Sequence, residues 1–448
     1  SGCDSQVVVT HNVDTANIGF YNTEYIFPVA NAGTDTIKVG LIGCGGRGTG
    51  AAVQALSSGQ NVKLVAMADA FKDNIDKCYK KIYSAEFQDW STDEVKDMRP
   101  FIDGPEEHKF DGFDGYKKVS PLCDVVVIAP PPGFRPIHLE EAVKQSKHIF
   151  MEKPCAVDAP GVRRVLAAAE EAKKKKLNVV VGLQRHYQKI YTEWVEKLHN
   201  GIIGDITHSR VYWNSAGVWV RPRQAGQTEM EYQMRNWYHF NWLCGDHITE
   251  QHIHNLDVAN WLLDGYPESA QGMGGRQVRI GQDTGQIYDH HAVEFTYANG
   301  HRVLSQCRHQ RGTWQSVSEH VHGSKGYADI GAGRVFDNND KLIFQSKGGR
   351  GGHQQEHHDL FADIRNGVLP NETEYGAKST MTAIFGRMAT YSGQKINWKD
   401  AIQSNITLCD VDNLSSWDDQ APFGPDEAGN YPIPIPGKKV EQVCDWLA

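Results

Sequence analysis

The sequence has no run of about 18 consecutive apolar residues, which a helix needs in order to cross a membrane. It also lacks an excess of positive charge, because 46 Lys and Arg residues stand against 55 Asp and Glu residues. Binding to a phosphate backbone needs a positive surface, so no nucleic acid partner is expected. No pair of its nine cysteines has C-x-x-C spacing, which excludes a zinc ribbon and a thioredoxin motif.

The chain of 448 residues is long enough for two or three domains at roughly 150 residues each. Its hydrophobic fraction of 40% and charged fraction of 23% are those of an ordinary folded protein. The histidine content is high, with 20 residues, of which 16 lie between His186 and His358. This concentration suggests a metal or a hydroxyl-rich ligand, and the second is the better explanation.

The first three residues, Ser1-Gly2-Cys3, are similar to the end of a bacterial lipobox. On that interpretation Cys3 carries a lipid anchor, and the protein is a periplasmic or membrane-anchored lipoprotein. The alternative is a cytoplasmic protein in which these residues have no role. Residues 1–35 are predicted to form a polar N-terminal tail ahead of the fold.

A dinucleotide-binding pattern begins directly after this tail. A β-branched run over 36–42 leads into Gly43-Cys44-Gly45-Gly46-Arg47-Gly48, a helical stretch over 49–57 follows, and a second apolar run ends at Asp69. The first glycine of such a loop permits a tight turn, the second lets the backbone approach a pyrophosphate, and the third allows close packing of helix and strand. Asp69 is placed to bind the ribose hydroxyls and to repel a 2′-phosphate, which favours NAD over NADP.

Strands and helices continue to alternate after this unit. Residues 87–115 are polar, contain three Asp-Gly pairs and are predicted to be a loop. The apolar run over 124–129 is typical of a strand buried in a parallel sheet, and it ends at a proline-rich turn. A helix over 137–145 and a strand over 148–151 complete the next unit, which leads into Glu152-Lys153-Pro154.

These motifs and two later ones resemble those of the Gfo/Idh/MocA oxidoreductases. The similar segments are the glycine loop, Ala129-Pro130-Pro131, Glu152-Lys153-Pro154, residues 182–187, and His254-Asn255-Leu256-Asp257 followed by Trp261-Leu262-Leu263. The resemblance implies an α/β fold, with an N-terminal Rossmann dinucleotide-binding domain and a C-terminal α/β domain on an open, mainly antiparallel sheet. It also implies an active site between the two domains.

We therefore expect a polar tail over 1–35, an NAD-binding Rossmann domain over 36–185, a substrate and catalytic domain over 186–400 and a C-terminal arm over 401–448. The second domain contains short alternating runs over 207–213, 291–297 and 302–308, and Asn299-Gly300 is predicted to form a hairpin turn between the last two. A helix is predicted over 354–366, ending at Gly367. The arm is expected to pack on the surface or on a partner subunit. By analogy with the family, a homo-oligomer is expected, because an open sheet face must be covered.

Oxidation of a secondary alcohol needs a base for the hydroxyl proton. Lys153 is the first candidate, since it follows a strand at the carboxyl end of the parallel sheet. If the segment around His254 forms one helix, four side chains lie on one stripe of it: His247, Glu250, His254 and Asp257. The resemblance implies that His254 is the proton acceptor and that Glu250 takes the place of an aspartate. We expect His254 as base or hydroxyl orienter, Lys153 beside it, and Glu250 positioning one of them.

The other candidate residues follow from the resemblance and from the order of the motifs. The expected cofactor-binding residues are Gly43, Gly45, Gly46, Arg47, Gly48, Asp69, Pro130, Pro131, His138, Glu152, Lys153 and Gln184. Aromatic rings with neighbouring donors suit a sugar, because the C–H faces of the sugar stack and its hydroxyls accept hydrogen bonds. The expected substrate-binding residues are Arg185, Tyr187, Trp237, Tyr238, His239 and His254.

A metal site is the alternative use of the histidines. The groups that offer ligands are His252 with His254, His320 with His322, and His353 with His357 and His358. Residues two apart on a helix point to different sides, so His252 and His254 cannot both face one ion. His320 and His322 would share a strand face, but the sequence identifies no third ligand. No metal is expected.

The sequence predicts an NAD-dependent oxidoreductase that transfers a hydride between nicotinamide and a secondary alcohol of a sugar, glycoside or polyol. If the protein is exported, free NAD is scarce and a tightly bound cofactor is favoured. One alternative is an NAD-dependent glycosidase, in which transient oxidation of the sugar ring permits elimination of the glycosidic substituent. Another is a non-catalytic NAD-binding sensor, against which the presence of both Lys153 and His254 argues.

Overall fold

The structure is a computed structural model that describes residues 35–84 and 97–437. Within these ranges the chain forms two sheets, one of six strands and one of nine. The predicted tail with Cys3 lies outside the described residues, as does the end of the arm beyond residue 437. None of the described helices is both long and apolar enough to cross a membrane.

The first sheet confirms the expected Rossmann architecture. Its strands are β1 (Ile37–Ile42), β2 (Val62–Asp69), β3 (Lys109–Asp111), β4 (Val125–Ile128), β5 (His148–Met151) and β6 (Val179–Val181). All neighbours are parallel, in the order β3-β2-β1-β4-β5-β6. The order reverses direction next to β1, which is where ligands bind in open sheets of this kind.

The helices of this domain follow its strands. They are α1 (Gly46–Leu56), α2 (Lys72–Tyr83), α3 (Gly115–Val119), α4 (Arg135–Lys144) and α5 (Ala159–Lys174). The start of α5 is set by Asp158, whose carboxylate accepts a hydrogen bond from the backbone N–H of Gly161 at 2.8 Å. The helix α1 begins three residues earlier than expected, directly after Gly45, so the glycine loop runs straight into a helix N-terminus.

One prediction for this domain is wrong. Residues 109–111 were expected in a loop, but they form the edge strand β3, which pairs with Met67 to Asp69 at the end of β2. A strand of three residues shows no periodicity in the sequence, so only its pairing identifies it. Strand β3 extends the sheet directly beside Asp69.

The second sheet is larger and open. Its strands are β7 (Ile206–Ser215), β8 (Ser269–Gly275), β9 (His290–Thr296), β10 (Arg302–His309), β11 (Ser316–Gly323), β12 (Gly326–Asp329), β13 (Arg334–Asp337), β14 (Leu342–Gln345) and β15 (Ile396–Asn397). Their order is β14-β13-β12-β11-β7-β10-β9-β8-β15, and every pair is antiparallel except β7 with β10. The mainly antiparallel sheet is thus confirmed. The predicted hairpin turn joins β9 to β10, with Gly300 at φ 79°.

Eight further helices follow α5 in the described part of the chain. They are α6 (Lys189–His199), α7 (Glu229–Arg235), α8 (Asn241–Cys244), α9 (His247–Glu250), α10 (Ile253–Leu263), α11 (Gly352–Asn366), α12 (Thr373–Ser392) and α13 (Trp398–Ile402). Two of them connect the domains. Helix α11 packs on α1 of the Rossmann domain, with Leu360 and Phe361 in the same apolar cluster as β1. Helix α12 packs on α5 from one side and on β8 and β9 from the other.

The described part of the C-terminal arm packs on both domains of its own chain. Asp412 pairs with Arg164 on α5 at 2.7 Å. The carbonyl of Phe423 accepts a hydrogen bond from the Gln233 side chain on α7, also at 2.7 Å. Because these two contacts lie on different domains, the arm ties the domains together.

Candidate active site

A cleft of about 860 Å³ lies between the two sheets, at the carboxyl ends of β1, β2, β4 and β5. All twelve expected cofactor-binding residues line it, together with Glu250, His254, Arg185, Trp237 and Tyr238. The cleft therefore brings the glycine loop of the first domain and the histidine motif of the second domain into one space. Its volume is of the size that holds a cofactor and a small substrate.

Two expected substrate residues do not line this cleft. The Tyr187 hydroxyl donates to the buried Glu372 carboxylate, on the far side of its short helical turn. His239 is 1% exposed, and its Nε2 lies 2.9 Å from the carbonyl of Trp219. Placing them at the substrate was wrong, because both side chains are taken up by partners distant in sequence. Of the two, His239 supports the backbone of Trp219, which does line the cleft.

The glycine loop has the geometry that a dinucleotide requires. Gly43 has φ 89°, and a Cβ atom there would meet the carbonyl carbon of Ala129 at 2.3 Å. A Cβ at Gly48 would meet the Gly43 oxygen at 1.8 Å, so this glycine permits the close packing of α1. Around Gly45 and Gly46, by contrast, the space is open. Helix α1 begins beside this space, and the N-terminus of a helix is a favourable site for a pyrophosphate.

Asp69 stands at the end of β2 with its carboxylate fixed. It accepts hydrogen bonds from the backbone N–H groups of Cys44 and Phe71, both at 2.8 Å, and from the Asn74 amide at 3.1 Å. Burial raises the pKa of Asp69, and the two backbone donors oppose that shift. The carboxylate thus holds the glycine loop to β2 and also lines the cleft beside the expected ribose position.

Lys153 crosses from the first domain to the second. Its Nζ donates to the backbone carbonyl of Glu250 and lies 3.5 Å from Glu250 Oε1. The loop that carries Lys153 is held by Arg135, whose Nη1 donates to the carbonyls of Lys153 and Pro154 at 2.6 and 2.8 Å. Burial raises the pKa of Glu250, and the neighbouring Lys153 opposes that shift. Lys153 therefore has a fixed direction inside the cleft.

The predicted stripe of four residues on one helix is wrong. The helix is broken after Glu250, and α10 begins only at Ile253. The break turns His247 towards Asp246, with Nδ1 and Oδ1 2.9 Å apart, in the interior of the second domain. Asp257 pairs with His186 at 2.6 Å. Of the four side chains, Glu250 and His254 line the cleft.

His254 has the environment of a neutral base. Its Nδ1 is buried and has no hydrogen-bond partner among the described residues. Burial holds the pKa of His254 well below its usual value, and the cations Lys153 and Arg185 add to this effect. A neutral imidazole beside a lysine can accept a proton from a hydroxyl group. Arg185 itself is neutralised by a buried ion pair with Glu319.

Two of the histidines considered for a metal are engaged with other side chains. His252 bonds Ser305 at 2.7 Å, and His322 stacks on His208 at 4.3 Å on the outer face of the second sheet. Among the described residues, the one set with donor atoms within 4.8 Å of one another is Asp246, His247 and His291, which lies behind the cleft. Asp246 Oδ1 is 2.9 and 3.2 Å from the two imidazoles, which are distances of direct pairing.

Sequence reasoning missed several residues of the cleft. Arg135, Gln251 and His353 line it and were not assigned to it. Arg135 follows the proline-rich turn and points back across a strand, which no local pattern indicates. His353 stands directly after Gly351-Gly352 at the start of α11, and the glycine pair was the available signal.

Two family models match the chain. Residues 37–182 match the oxidoreductase family with an NAD-binding Rossmann fold, and residues 191–329 match the GFO/IDH/MocA C-terminal domain. The chain is similar to inositol 2-dehydrogenase of Gluconacetobacter diazotrophicus, with 28% identity over 241 residues, which cover 53% of this chain and 57% of that enzyme. The match therefore spans little more than half the length of this relative.

Solved structures share the fold. Aldose-aldose oxidoreductase from Caulobacter crescentus superposes with a TM-score of 0.61 at 14% identity, covering 81% of this chain and 100% of that chain. Levoglucosan dehydrogenase in complex with NADH and levoglucosan gives a TM-score of 0.61 at 16% identity, covering 81% and 99%. The N-terminal domain is thus an NAD-binding Rossmann domain.

Replacing Asp69 tests its expected role at the ribose. We expect Asp69→Ala to weaken NAD binding roughly tenfold to a hundredfold, since a hydrogen bond to a charged group contributes about 1.5–3 kcal/mol. We also expect a smaller preference for NAD over NADP. Titration with both dinucleotides measures the change. Asp73→Asn is the matched control, because Asp73 pairs with Arg235 and Lys77 instead. An unchanged preference in Asp69→Ala would refute the role.

Proposed function

We propose, because the chain belongs to the GFO/IDH/MocA oxidoreductase family, that it transfers a hydride between NAD and a secondary alcohol of a sugar, glycoside or polyol. The observation that carries this proposal is the convergence of Lys153, Glu250 and His254 on the cleft that the glycine loop also lines. An ammonium, a carboxyl group and a neutral imidazole beside a dinucleotide site are the groups that proton transfer from an alcohol requires.

Each of the three residues has a part in the proposed reaction. His254 accepts the hydroxyl proton, and Lys153 donates a hydrogen bond to the same oxygen. Glu250 holds Lys153 through its carboxylate and its backbone carbonyl. When bound, NAD accepts the hydride from the carbon. The oxidised carbon thus loses a hydride to the cofactor and its hydroxyl proton to His254, which balances the step.

The other walls of the cleft support a carbohydrate substrate. Trp213, Trp219 and Trp237 line it, and Trp219 lies edge-on to Trp237 with ring centroids 5.6 Å apart. Arg221 stacks over the Trp219 ring at 4.7 Å and also lines the cleft. Rings that stack on C–H faces, next to a cationic donor, suit a sugar ring.

A second candidate is the redox-neutral cleavage of a glycosidic bond. Elimination after transient oxidation needs a further acid–base group, and His353 lines the same cleft as His254. Burial and the nearby Arg47 lower the pKa of His353 to about 4, so the ring is neutral at neutral pH. Analysis of the products from a panel of sugars and glycosides separates oxidation from bond cleavage.

Replacing Lys153 tests the proposed chemistry. We expect Lys153→Ala to retain NAD and to lower kcat at least a hundredfold, because a proton-transfer group typically contributes 10²- to 10⁴-fold. NADH formation at 340 nm with the panel of sugars measures turnover. The matched control is Lys72→Ala, an exposed lysine on α2 whose partners are Asp76 and Glu106. Near-normal kcat in Lys153→Ala would refute the assignment.

We also propose that the arm retains the cofactor. Trp417 stacks on Phe71 with ring centroids 4.5 Å apart and lies 4.9 Å from Phe113. Both phenylalanines line the cleft beyond Asp69, at the end expected for the adenosine. The arm therefore closes this end, and a cofactor beneath it leaves slowly.

Removing the Trp417 ring tests this closure. We expect Trp417→Ala to raise the dissociation rate of NADH about tenfold or more, because the ring supports both phenylalanines at the mouth of the cleft. Stopped-flow fluorescence measures the rate. Trp314→Ala is the matched control, since Trp314 is 60% exposed and lies in the loop between β10 and β11. Equal dissociation rates for the two variants would exclude a retaining arm.

We further propose that the protein forms a homo-oligomer through the open face of the second sheet. Met273, Ala292 and Leu304 lie on its outer side, and Met273 is 80% exposed. A second copy would remove this apolar surface from water.

We expect Leu304→Arg to dissociate the oligomer, measured by light scattering, because the substitution places a charge on that face. The control is Val317→Arg, which is equally exposed on the opposite side of the sheet. A monomeric wild-type protein would contradict the proposal.

A further inference from the structure

Gln251 occupies the break between α9 and α10. It directly follows Glu250, two residues before the start of the next helix, with φ −111° and ψ −52°. Gln251 lines the cleft, as do Glu250 and His254. A residue at this place therefore stands among the groups assigned to the chemistry, although it has no charge of its own.

The direction of the Gln251 amide depends on His309. His309 Nε2 lies 2.7 Å from Gln251 Oε1, and His309 Nδ1 lies 2.9 Å from Arg279 Nη2. A guanidinium only donates hydrogen bonds, so Nδ1 must accept and carries no proton. The proton of the neutral ring then stands on Nε2 and is donated to Gln251. His309 is 4% exposed, and burial, with His247 and Arg279 nearby, holds the pKa of His309 well below its usual value.

Arg279 is itself held in place by hydrogen bonds. Its backbone N–H donates to Asp289 Oδ2 at 2.8 Å, and its Nη1 donates to the carbonyl of Tyr288 at 3.0 Å. The series Arg279, His309, Gln251 therefore runs in one direction, with each group donating to the next. Because the oxygen of the amide is used by His309, its nitrogen is turned to the other side.

We propose that the Gln251 amide nitrogen donates a hydrogen bond to a substrate oxygen in the cleft, other than the oxygen that His254 deprotonates. Gln251 is thereby a specificity-determining residue for a polyhydroxylated substrate. His309 and Arg279 are positioning residues that act through it. This inference rests on the proposed function, since it assumes that a sugar or polyol binds beside His254.

Gln251→Glu changes the donor with almost no change in shape. A carboxylate still accepts the proton of His309 but offers the substrate an acceptor instead of a donor. We expect kcat/KM to fall tenfold to a thousandfold, because a site built to hydrogen-bond a hydroxyl strongly depends on that bond. NAD affinity and the melting temperature are expected to stay close to those of the wild type.

His309 provides the matched pair of variants. His309→Leu removes the donor and frees the amide to turn, so KM is expected to rise with a smaller effect on kcat. His309→Gln retains an N–H that can reach Gln251, and it is expected to restore most of the lost kcat/KM. A purely structural role for His309 would not produce this rescue.

The probes are D-glucose, methyl α-D-glucoside and myo-inositol, each with its monodeoxy analogues. For the probe that the wild type oxidises, one monodeoxy analogue lacks the hydroxyl that Gln251 binds. We expect the wild type to react poorly with this analogue, and we expect Gln251→Glu to react with it no more slowly than the wild type does. Equal kcat/KM for Gln251→Glu and wild type, or additive losses with every analogue, would overturn the inference. Absence of NAD reduction by the wild type with all probes would instead refute the proposed function.

Discussion

The contact between Lys153 and Glu250 is the constraint on which the site depends. It joins the end of β5 in one domain to the end of α9 in the other, and both side chains are largely withdrawn from water. A buried ion pair contributes little net stability but is costly to break, so it fixes geometry more than it adds free energy. Arg135 holds the carbonyls of the Lys153 loop, and the break in the helix exposes the carbonyl of Glu250. Both features support the contact between Lys153 and Glu250.

Local patterns in the sequence predicted most of the first domain. Gly43 and Gly48 were identified because the backbone conformations they permit are set by the next few residues. The structure shows a positive φ at Gly43 and no room for a Cβ atom at Gly48. The same holds for Gly367, which ends α11 at φ 69°. Strand β3 was missed because three residues carry no period, and its identity depends on β2.

Local patterns in the sequence predicted less of the second domain. The spacing of His247, Glu250, His254 and Asp257 suits one helix, yet the helix breaks at Gln251, and of the four only Glu250 and His254 line the cleft. Asp257 is held by His186 and Glu250 by Lys153, and both partners are distant in sequence. Tyr187 is likewise turned from the cleft by Glu372, 185 residues away. Residue type and spacing therefore identified which residues are near the site, but not which of them face it.

Helix α12 has a consequence for how the molecule can move. It packs on α5 of the Rossmann domain and on β8 and β9 of the second sheet, and all but two of its twenty residues are buried. A shared helix of this kind opposes hinge rotation between the domains, because rotation would expose its apolar surface on one side. On the proposed function, dinucleotide and substrate then reach the cleft from different ends, the first past Phe71 and Phe113 and the second past Trp219 and Trp237.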